Sequence, residues 1–237
     1  MKKGRIISMK KKISEGYVEV LESVDKKIKI DDVGLKITED SLLLANFIKK
    51  IFKDKGSCKR KISNEAVLEI GAGQGIISIL LCETENIGKI YAVELQKKVF
   101  DRLEENIEEN FLEDKIIPLN ENIKNISGEY DFIFSNPPYR KINSGRLPEN
   151  EEVLKSKYEV ELTLEETFSN IKRLLKNCGE FCVVVPDGRL NDSFSYIYAN
   201  KMNILSLKIK RYEKRNLIII HGRKGGKLNS EIKIYND

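Results

Sequence analysis

The sequence of 237 residues contains no tryptophan, a single histidine and only four cysteines. His221 and the cysteines, none of which belongs to a Cys-x-x-Cys pair, form no zinc-binding pattern, so no metal site is expected. No apolar run reaches the length of a transmembrane helix, and no apolar segment follows the basic N-terminus as it would in a secretory signal. These absences predict a cytoplasmic protein with reduced cysteines.

The charged residues are numerous and unevenly placed. Lys and Arg total 42 and Asp and Glu total 37, which gives a net charge of +5. Residues 1–12 and 201–227 are rich in Lys and Arg, whereas 101–114 and 149–166 are rich in acids. This mild basic excess is compatible with a nucleic acid partner but does not establish one.

Strand-like and helix-like segments alternate along most of the chain. Predicted strands are 66–70, 89–95, 116–119, 130–135, 181–186, 204–212 and 217–222, and amphipathic or capped helices lie between most of them. This pattern predicts an α/β fold with a Rossmann-like, doubly wound, seven-stranded and mostly parallel sheet. Because a very short polar connection joins the last two strands, the last strand is expected to be antiparallel.

Two further organisational features follow from the sequence. Residues 1–35 are expected to form a small N-terminal extension of short strands, and 36–237 a single catalytic domain that begins with a helix capped by Thr38. In the segment 97–111, Val99, Leu103, Ile107 and Phe111 recur every four residues, which predicts an amphipathic helix with these side chains on its buried face.

A glycine-rich turn follows the first strand of the alternating series. Gly71, Gly73 and Gly75 lie between a strand and a helix, where glycine allows a tight turn and close approach of a ligand. Glu69 just before the loop disfavours a pyrophosphate and favours an amine-bearing ligand. Glu94 at the end of the second strand can accept hydrogen bonds from both ribose hydroxyls. Together these residues predict S-adenosylmethionine as the cofactor, rather than a nicotinamide dinucleotide.

The end of the third strand is the expected position of the cofactor adenine. Glu121, Asn122 and Ile123 occur there, and Asn122 is the candidate to bind the adenine amine while Ile123 packs on the ring. A plain loop without a binding role is the alternative.

Residues 130–140 read YDFIFSNPPYR, in which a buried strand ends in a stiff loop of two prolines. The Asn136 side-chain carbonyl and the Pro137 backbone carbonyl can both accept hydrogen bonds from one planar amine. Tyr139 can stack on the ring that carries this amine. The long polar loop 140–158 is a further functional candidate.

These motifs resemble those of class I S-adenosylmethionine-dependent methyltransferases with an Asn-Pro-Pro-Tyr motif. The segments KITEDSLLLANFIKK (36–50), GAGQGIISILL, VELQ (93–96) and HGRKGGK (221–227) are similar to those of tRNA (adenine-N(6)) methyltransferases that modify the base beside the anticodon of a valine tRNA. The resemblance implies that Thr38 and Asp40 border the cofactor pocket and that the substrate is structured RNA.

The sequence thus predicts three groups of site residues. The catalytic group is Asn136, Pro137, Pro138 and Tyr139. The cofactor group is Thr38, Asp40, Glu69, Gly71, Ala72, Gly73, Gly75, Glu94, Leu95, Asn122, Ile123 and Asn136. The RNA-binding group includes Lys210, Arg211, Arg215, Arg223 and Lys224, whose positive charges can neutralise phosphates.

Other functions remain open at this level. A protein glutamine methyltransferase, an rRNA guanine methyltransferase or a DNA adenine methyltransferase would use the same motif, because each acts on a planar nitrogen. A cofactor-binding RNA-binding module without catalysis is the alternative outside the enzymes. The expected partner is tRNA, and a monomer is expected.

Overall fold

The computed structural model describes residues 7–13, 16–31, 37–56, 65–138, 162–213, 215–226 and 231–236. Their strands form two sheets, one of three strands and one of eight. The strands are β1 (Ile7–Ile13), β2 (Gly16–Leu21), β3 (Lys26–Asp31), β4 (Glu65–Ile70), β5 (Ile87–Val93), β6 (Ile116–Leu119), β7 (Tyr130–Ser135), β8 (Leu175–Pro186), β9 (Met202–Arg211), β10 (Asn216–Lys224) and β11 (Lys233–Asn236). The α-helices are α1 (Glu39–Gly56), α2 (Ile76–Leu81), α3 (Lys97–Glu109), α4 (Leu164–Leu174) and α5 (Leu190–Ala199).

The larger sheet confirms the predicted α/β architecture. Its strand order is β11-β9-β10-β8-β7-β4-β5-β6, and β10 runs antiparallel to both of its neighbours. The sheet has eight strands rather than the predicted seven, because β11 pairs in parallel with β9 at the edge. Three of the four residues of β11 are exposed, so this strand lacks the alternation of buried and exposed side chains that marks most strands.

The central strands are buried on both faces, which explains their continuous apolar runs. Phe132, Ile133 and Phe134 of β7 are fully buried, as are Val183 and Val184 of β8. Such runs are typical of parallel strands that are covered by helices on both sides. Of the described residues, none belongs to a helix long and apolar enough to cross a membrane.

The N-terminal three-stranded sheet is attached to α3 by two asparagines. The backbone N–H of Lys29 donates to Asn106 Oδ1 at 2.8 Å, and Asn106 Nδ2 donates to the carbonyl of Lys29 at 3.0 Å. Asn110 makes the same pair of bonds with Lys27. The asparagine side chains therefore satisfy the open edge of β3 as a neighbouring strand would. Apolar residues of β2 and β3 also share one hydrophobic core with the helices. The predicted domain boundary at residue 35 would divide this shared core, and it stays a prediction.

Two helix ends show how local sequence sets the element bounds. Thr38 caps α1 as predicted, because its hydroxyl oxygen accepts from the N–H of Ser41 at 3.3 Å. Helix α3 begins as predicted, but the assignment of Phe111 to its buried face is wrong. The helix ends before Phe111, whose φ is +55° and whose side chain is 88% exposed. Phe100 is buried on α3 together with Leu103 and Ile107.

Candidate active site at the carboxyl edge of the sheet

The candidate site lies where the strand order of the sheet reverses. From β4 the order continues to β5 and β6 on one side and to β7, β8, β10 and β9 on the other. Ligands of open α/β sheets bind beyond the carboxyl ends of the strands at such a point. Ile70 and Ser135 are register partners there, and the Ser135 hydroxyl donates to the Ile70 carbonyl at 2.8 Å. Gly71 and Asn136 directly follow these partners, so they lie side by side where the two neighbouring strands end.

The glycine loop has the backbone conformation that its sequence requires. Gly71, Gly73 and Gly75 have φ values of 72°, 58° and 89°, which residues with a Cβ adopt only with strain. A Cβ added at Gly71 or Gly73 would meet nothing within 4 Å, so both face open space. A Cβ at Gly75 would lie 2.6 Å from Leu103, so the third glycine permits close packing against α3. The N–H groups of Gly71 and Ala72 both donate to the Val93 carbonyl, which fixes the loop on β5.

Glu94 connects the glycine loop to the end of β5. One carboxylate oxygen accepts from the N–H of Gly73 at 2.9 Å, and the other accepts from the N–H of Gln96 at 2.9 Å. A carboxylate has about four acceptor positions in all, so it can serve more than one donor. Glu94 therefore orients the glycine loop at the end of β5.

Glu69 is buried behind the loop rather than open to it, with an exposed fraction of 1%. Burial raises its pKa to about 8, while a hydrogen bond donated by the Ser78 hydroxyl partly opposes that rise. In the ligand-free protein Glu69 is thus mostly protonated at neutral pH. The sequence predicts that the Glu69 carboxylate faces a ligand amine, and direct contact of Glu69 with a cofactor stays a prediction.

The segment after β6 is organised by side-chain caps. The Asn122 side-chain oxygen accepts from the N–H of Lys124 at 3.0 Å and caps a short 3-10 helix, Ile123–Asn125. This bond uses one of the two acceptor positions of the oxygen that was predicted to bind the adenine amine. Ile123 is buried, whereas Leu95 is 39% exposed at the end of β5. The exposed Leu95 side chain is available to an apolar ring.

The catalytic motif is described up to its second proline. Asn136 is half-buried and its Nδ2 lies 3.5 Å from the Ser41 hydroxyl oxygen. Pro137 is buried and Pro138 half-buried. Within the described part of the chain, Asn136 Oδ1 accepts no hydrogen bond and remains available. Tyr139 and the loop 140–158 lie outside the described residues.

The N-terminus of α1 approaches both Asn136 and the β9–β10 hairpin. The hydroxyl oxygens of Thr38 and Ser41 are 3.1 Å apart. Arg215 donates to both Asp40 oxygens, at 2.9 and 3.3 Å, and Asp40 is 4% exposed. Burial, the negative charge of Glu39 and a hydrogen bond to Glu39 raise the pKa of Tyr212 to about 12. Asp40 and Arg215, predicted as cofactor and RNA residues respectively, thus bind each other.

The predicted RNA-binding residues lie at opposite ends of the sheet. Lys210 and Arg211 end β9 beside Arg215, at the carboxyl edge. Arg223 and Lys224 end β10 at the amino edge, where Lys224 donates to the Leu175 carbonyl at 2.7 Å. Since β10 has nine residues, its two ends are roughly 26 Å apart at about 3.3 Å per residue. These five residues therefore do not form one patch beside Asn136.

Sequence reasoning missed the residues that support the site from a distance. Three serine hydroxyl groups support the site: Ser41 contacts Asn136, Ser78 donates to Glu69, and Ser135 donates to the Ile70 carbonyl of β4. Asn120 Nδ2 donates to the carbonyl of Glu94 at 2.9 Å. Ser135 directly precedes the Asn-Pro-Pro-Tyr motif, and Ser41 lies in the stretch after Thr38. Their closeness in sequence to these motifs is the signal from which their supporting role could have been predicted.

Away from this edge, His221 lies within β10. It contacts the Ser206 hydroxyl and the Glu180 carboxylate, each at 3.1 Å. Among the described residues, Cys82, Cys178 and Cys182 form no disulfide bond, and Cys58 lies outside them.

Comparison with protein families gives one match that covers most of the chain. The model of the methyltransferase small domain matches residues 42–187. A protein of Dyadobacter fermentans named tRNA1(Val) (adenine(37)-N6)-methyltransferase is 30% identical over 124 residues, which cover 52% of this chain and 51% of the relative. A protein of the same name from Flavobacterium johnsoniae is 26% identical over 163 residues, which cover 67% of this chain and 64% of the relative. The chain thus spans between half and two-thirds of the length of these relatives.

Comparison with solved structures agrees on the fold. A methyltransferase from Pyrococcus furiosus superposes with a TM-score of 0.59 at 22% identity, covering 86% of this chain and 91% of the other. At this identity the likeness shows the shared fold alone.

Proposed function

Because the chain belongs to the methyltransferase small domain family, we propose that it transfers a methyl group from S-adenosylmethionine to the exocyclic amine of an adenine in tRNA. The relatives that are named for adenine-37 of tRNA1(Val) support this substrate and suggest the position. Such a substrate is consistent with the cytoplasmic location expected from the sequence.

One observation carries the proposal. Asn136 leaves β7 beside Gly71, at the reversal of strand order, with an available side-chain carbonyl. The cofactor half of the edge then comprises the ends of β4, β5 and β6, and the substrate half comprises the ends of β7, β8 and β9. Asn136 stands at the boundary, where donor and acceptor of the methyl group must meet.

The loop residues fit the proposed cofactor. Gly71 and Gly73 face open space at positive φ, and Glu94 places a carboxylate beside this loop, where ribose hydroxyls would find an acceptor. Leu95 offers an apolar side chain beside these groups. When bound, S-adenosylmethionine supplies an electrophilic methyl group on a positively charged sulfur.

The chain's own contribution is mainly alignment. Asn136 Oδ1 and the Pro137 carbonyl accept hydrogen bonds from the two protons of the adenine amine, which turns the nitrogen lone pair toward the methyl group. Rigid prolines hold these acceptors without further ordering. The two carbonyl dipoles stabilise the positive charge that develops on the nitrogen. The attack of the amine nitrogen on the methyl group requires no general base from the described residues.

The basic residues at the carboxyl edge are the proposed contacts to RNA phosphates. Lys210 and Arg211 lie on the substrate half of the edge, whereas Lys89 and Lys201 lie at the amino edge. We expect the double variant Lys210→Glu/Arg211→Glu to weaken tRNA binding by at least about ten-fold and to reduce the salt slope by about 2. The control Lys89→Glu/Lys201→Glu carries the same charge change, and an equal effect of both pairs would contradict a localised surface.

The catalytic role is tested with Asn136→Ala. We expect methyl transfer to tRNA to fall by at least about a hundred-fold, while calorimetric affinity for S-adenosylmethionine changes less than about three-fold. Ser193→Ala, which removes a buried hydroxyl from α5, serves as a control that alters packing outside the site. Simultaneous loss of cofactor binding in Asn136→Ala would mean that Asn136 does not have the proposed role.

A further inference from the structure

A chain of side-chain contacts connects the first turn of α1 to the catalytic loop. Thr38 caps the helix, and its hydroxyl oxygen lies 3.1 Å from that of Ser41. The Ser41 oxygen in turn lies 3.5 Å from Asn136 Nδ2. Ser41 is 6% exposed, so water has little access to this contact.

The contacts favour one orientation of the Asn136 amide. The Thr38 hydroxyl oxygen already accepts from the Ser41 N–H as the helix cap, and its second acceptor position can receive the Ser41 hydroxyl proton. The Ser41 oxygen is then an acceptor toward Asn136. An acceptor at this position attracts the NH2 group of Asn136, which directs Oδ1 to the open side.

The opposite orientation would be unproductive. With the amide rotated, Asn136 would present NH2 rather than a carbonyl to the adenine amine, and two donors would face each other. The position of Ser41 supports a specific role, because Glu or Gln is the usual third helical residue in a capping box. A serine there is too short to reach back to the cap backbone, and it contacts Asn136 instead.

From these contacts we infer that Ser41 is a positioning residue that holds Asn136 with its carbonyl toward the substrate amine. This inference rests on the proposed function and adds a residue outside the Asn-Pro-Pro-Tyr motif. Ser41 acts through Asn136 and does not touch the reacting atoms.

Kinetics of Ser41→Ala test the inference. We expect kcat for tRNA methylation to fall about ten-fold, the usual order for loss of one orienting hydrogen bond, with KM for S-adenosylmethionine changed less than about two-fold. Ser41→Thr keeps the hydroxyl and should recover most of kcat. Ser193→Ala removes a fully buried helical hydroxyl bonded to the Arg189 carbonyl, and should leave kcat unchanged.

A spectroscopic readout separates this inference from the proposed function. The side-chain NH2 resonances of Asn136, assigned by their absence in Asn136→Ala, should shift in Ser41→Ala and return in Ser41→Thr. If Asn136→Ala is inactive but Ser41→Ala keeps full kcat and unshifted resonances, the positioning role is overturned and the proposed function stands. If Asn136→Ala retains tRNA methylation, Asn136 is not the catalytic acceptor and the positioning role of Ser41 falls with it, whereas the proposed function fails only if the wild-type protein methylates no tRNA. A fall in cofactor affinity as large as the fall in kcat/KM would also overturn the positioning role.

Discussion

The buried carboxyl group of Glu69 leads to a prediction about stability and pH. Its pKa is raised from 4.5 to about 8 in the folded ligand-free chain. Between these values the folded state binds a proton that the unfolded state has released, so this group makes stability fall as pH rises. Each pH unit in this window corresponds to about 1.36 kcal/mol. From pH 6 to pH 8, allowing for half-titration at the upper limit, the loss is roughly 2 kcal/mol.

Glu69→Gln removes the titration while keeping the shape and an acceptor for the Ser78 hydroxyl. Urea unfolding of the ligand-free proteins at pH 6 and pH 8 should show the variant gaining roughly 2 kcal/mol over the wild type between the two values. Glu121→Gln is the matched control, since Glu121 is an exposed acid whose pKa is lowered by hydrogen bonds from Asn122 and Asn125. The control should show no such gain. A difference between Glu69→Gln and wild type that stays constant with pH would refute the reasoning.

Three more expectations concern the loop and its support. Asn106→Ala removes the hydrogen bonds of a fully buried side chain to Lys29 and to the glycine loop. The variant should lower the free energy of unfolding, measured in urea, by about 2–4 kcal/mol. A loss under about 1 kcal/mol would contradict the stabilising role of these bonds. Gly75→Ala should lower the melting temperature more than Gly73→Ala does, because only its Cβ meets Leu103, whereas Gly73→Ala should mainly weaken cofactor binding measured by calorimetry. Cofactor binding at pH 7 should release protons, because a cationic ligand lowers the pKa of Glu69. Calorimetry in buffers of different ionisation enthalpy detects this proton release. A binding enthalpy that does not depend on the buffer would contradict the proton release.

Local patterns predicted the elements that matter for the site. The Gly71, Gly73 and Gly75 spacing after an apolar strand specifies a turn that only glycine adopts without strain, and the structure has positive φ at all three. Thr38 before two acids predicted the start of α1. The short link between two strands predicted the antiparallel β9–β10 pair. In each case the physical cause lies within a few residues of the chain.

Features that depend on distant contacts could not be predicted in this way. Arg215 and Asp40 are 175 residues apart in sequence, and no local pattern indicates that they pair. The clamp of Asn106 on Lys29 joins residues 77 apart, and asparagine on a helix face gives no sign of its partner. Phe111 fits the helical spacing but follows the helix end. Its backbone adopts the left-handed conformation there, which the apolar periodicity does not encode.

Methyl transfer with product identification tests the central claim most directly. The protein would be incubated with labelled S-adenosylmethionine and, in parallel, with unmodified tRNA, rRNA, duplex DNA and a glutamine-bearing release factor, and products would be digested and identified by mass. We predict label in tRNA as N6-methyladenosine, lost with Asn136→Ala. Label only in rRNA, DNA or protein would contradict the proposed substrate, and no label in any of them despite measurable cofactor binding would contradict catalysis.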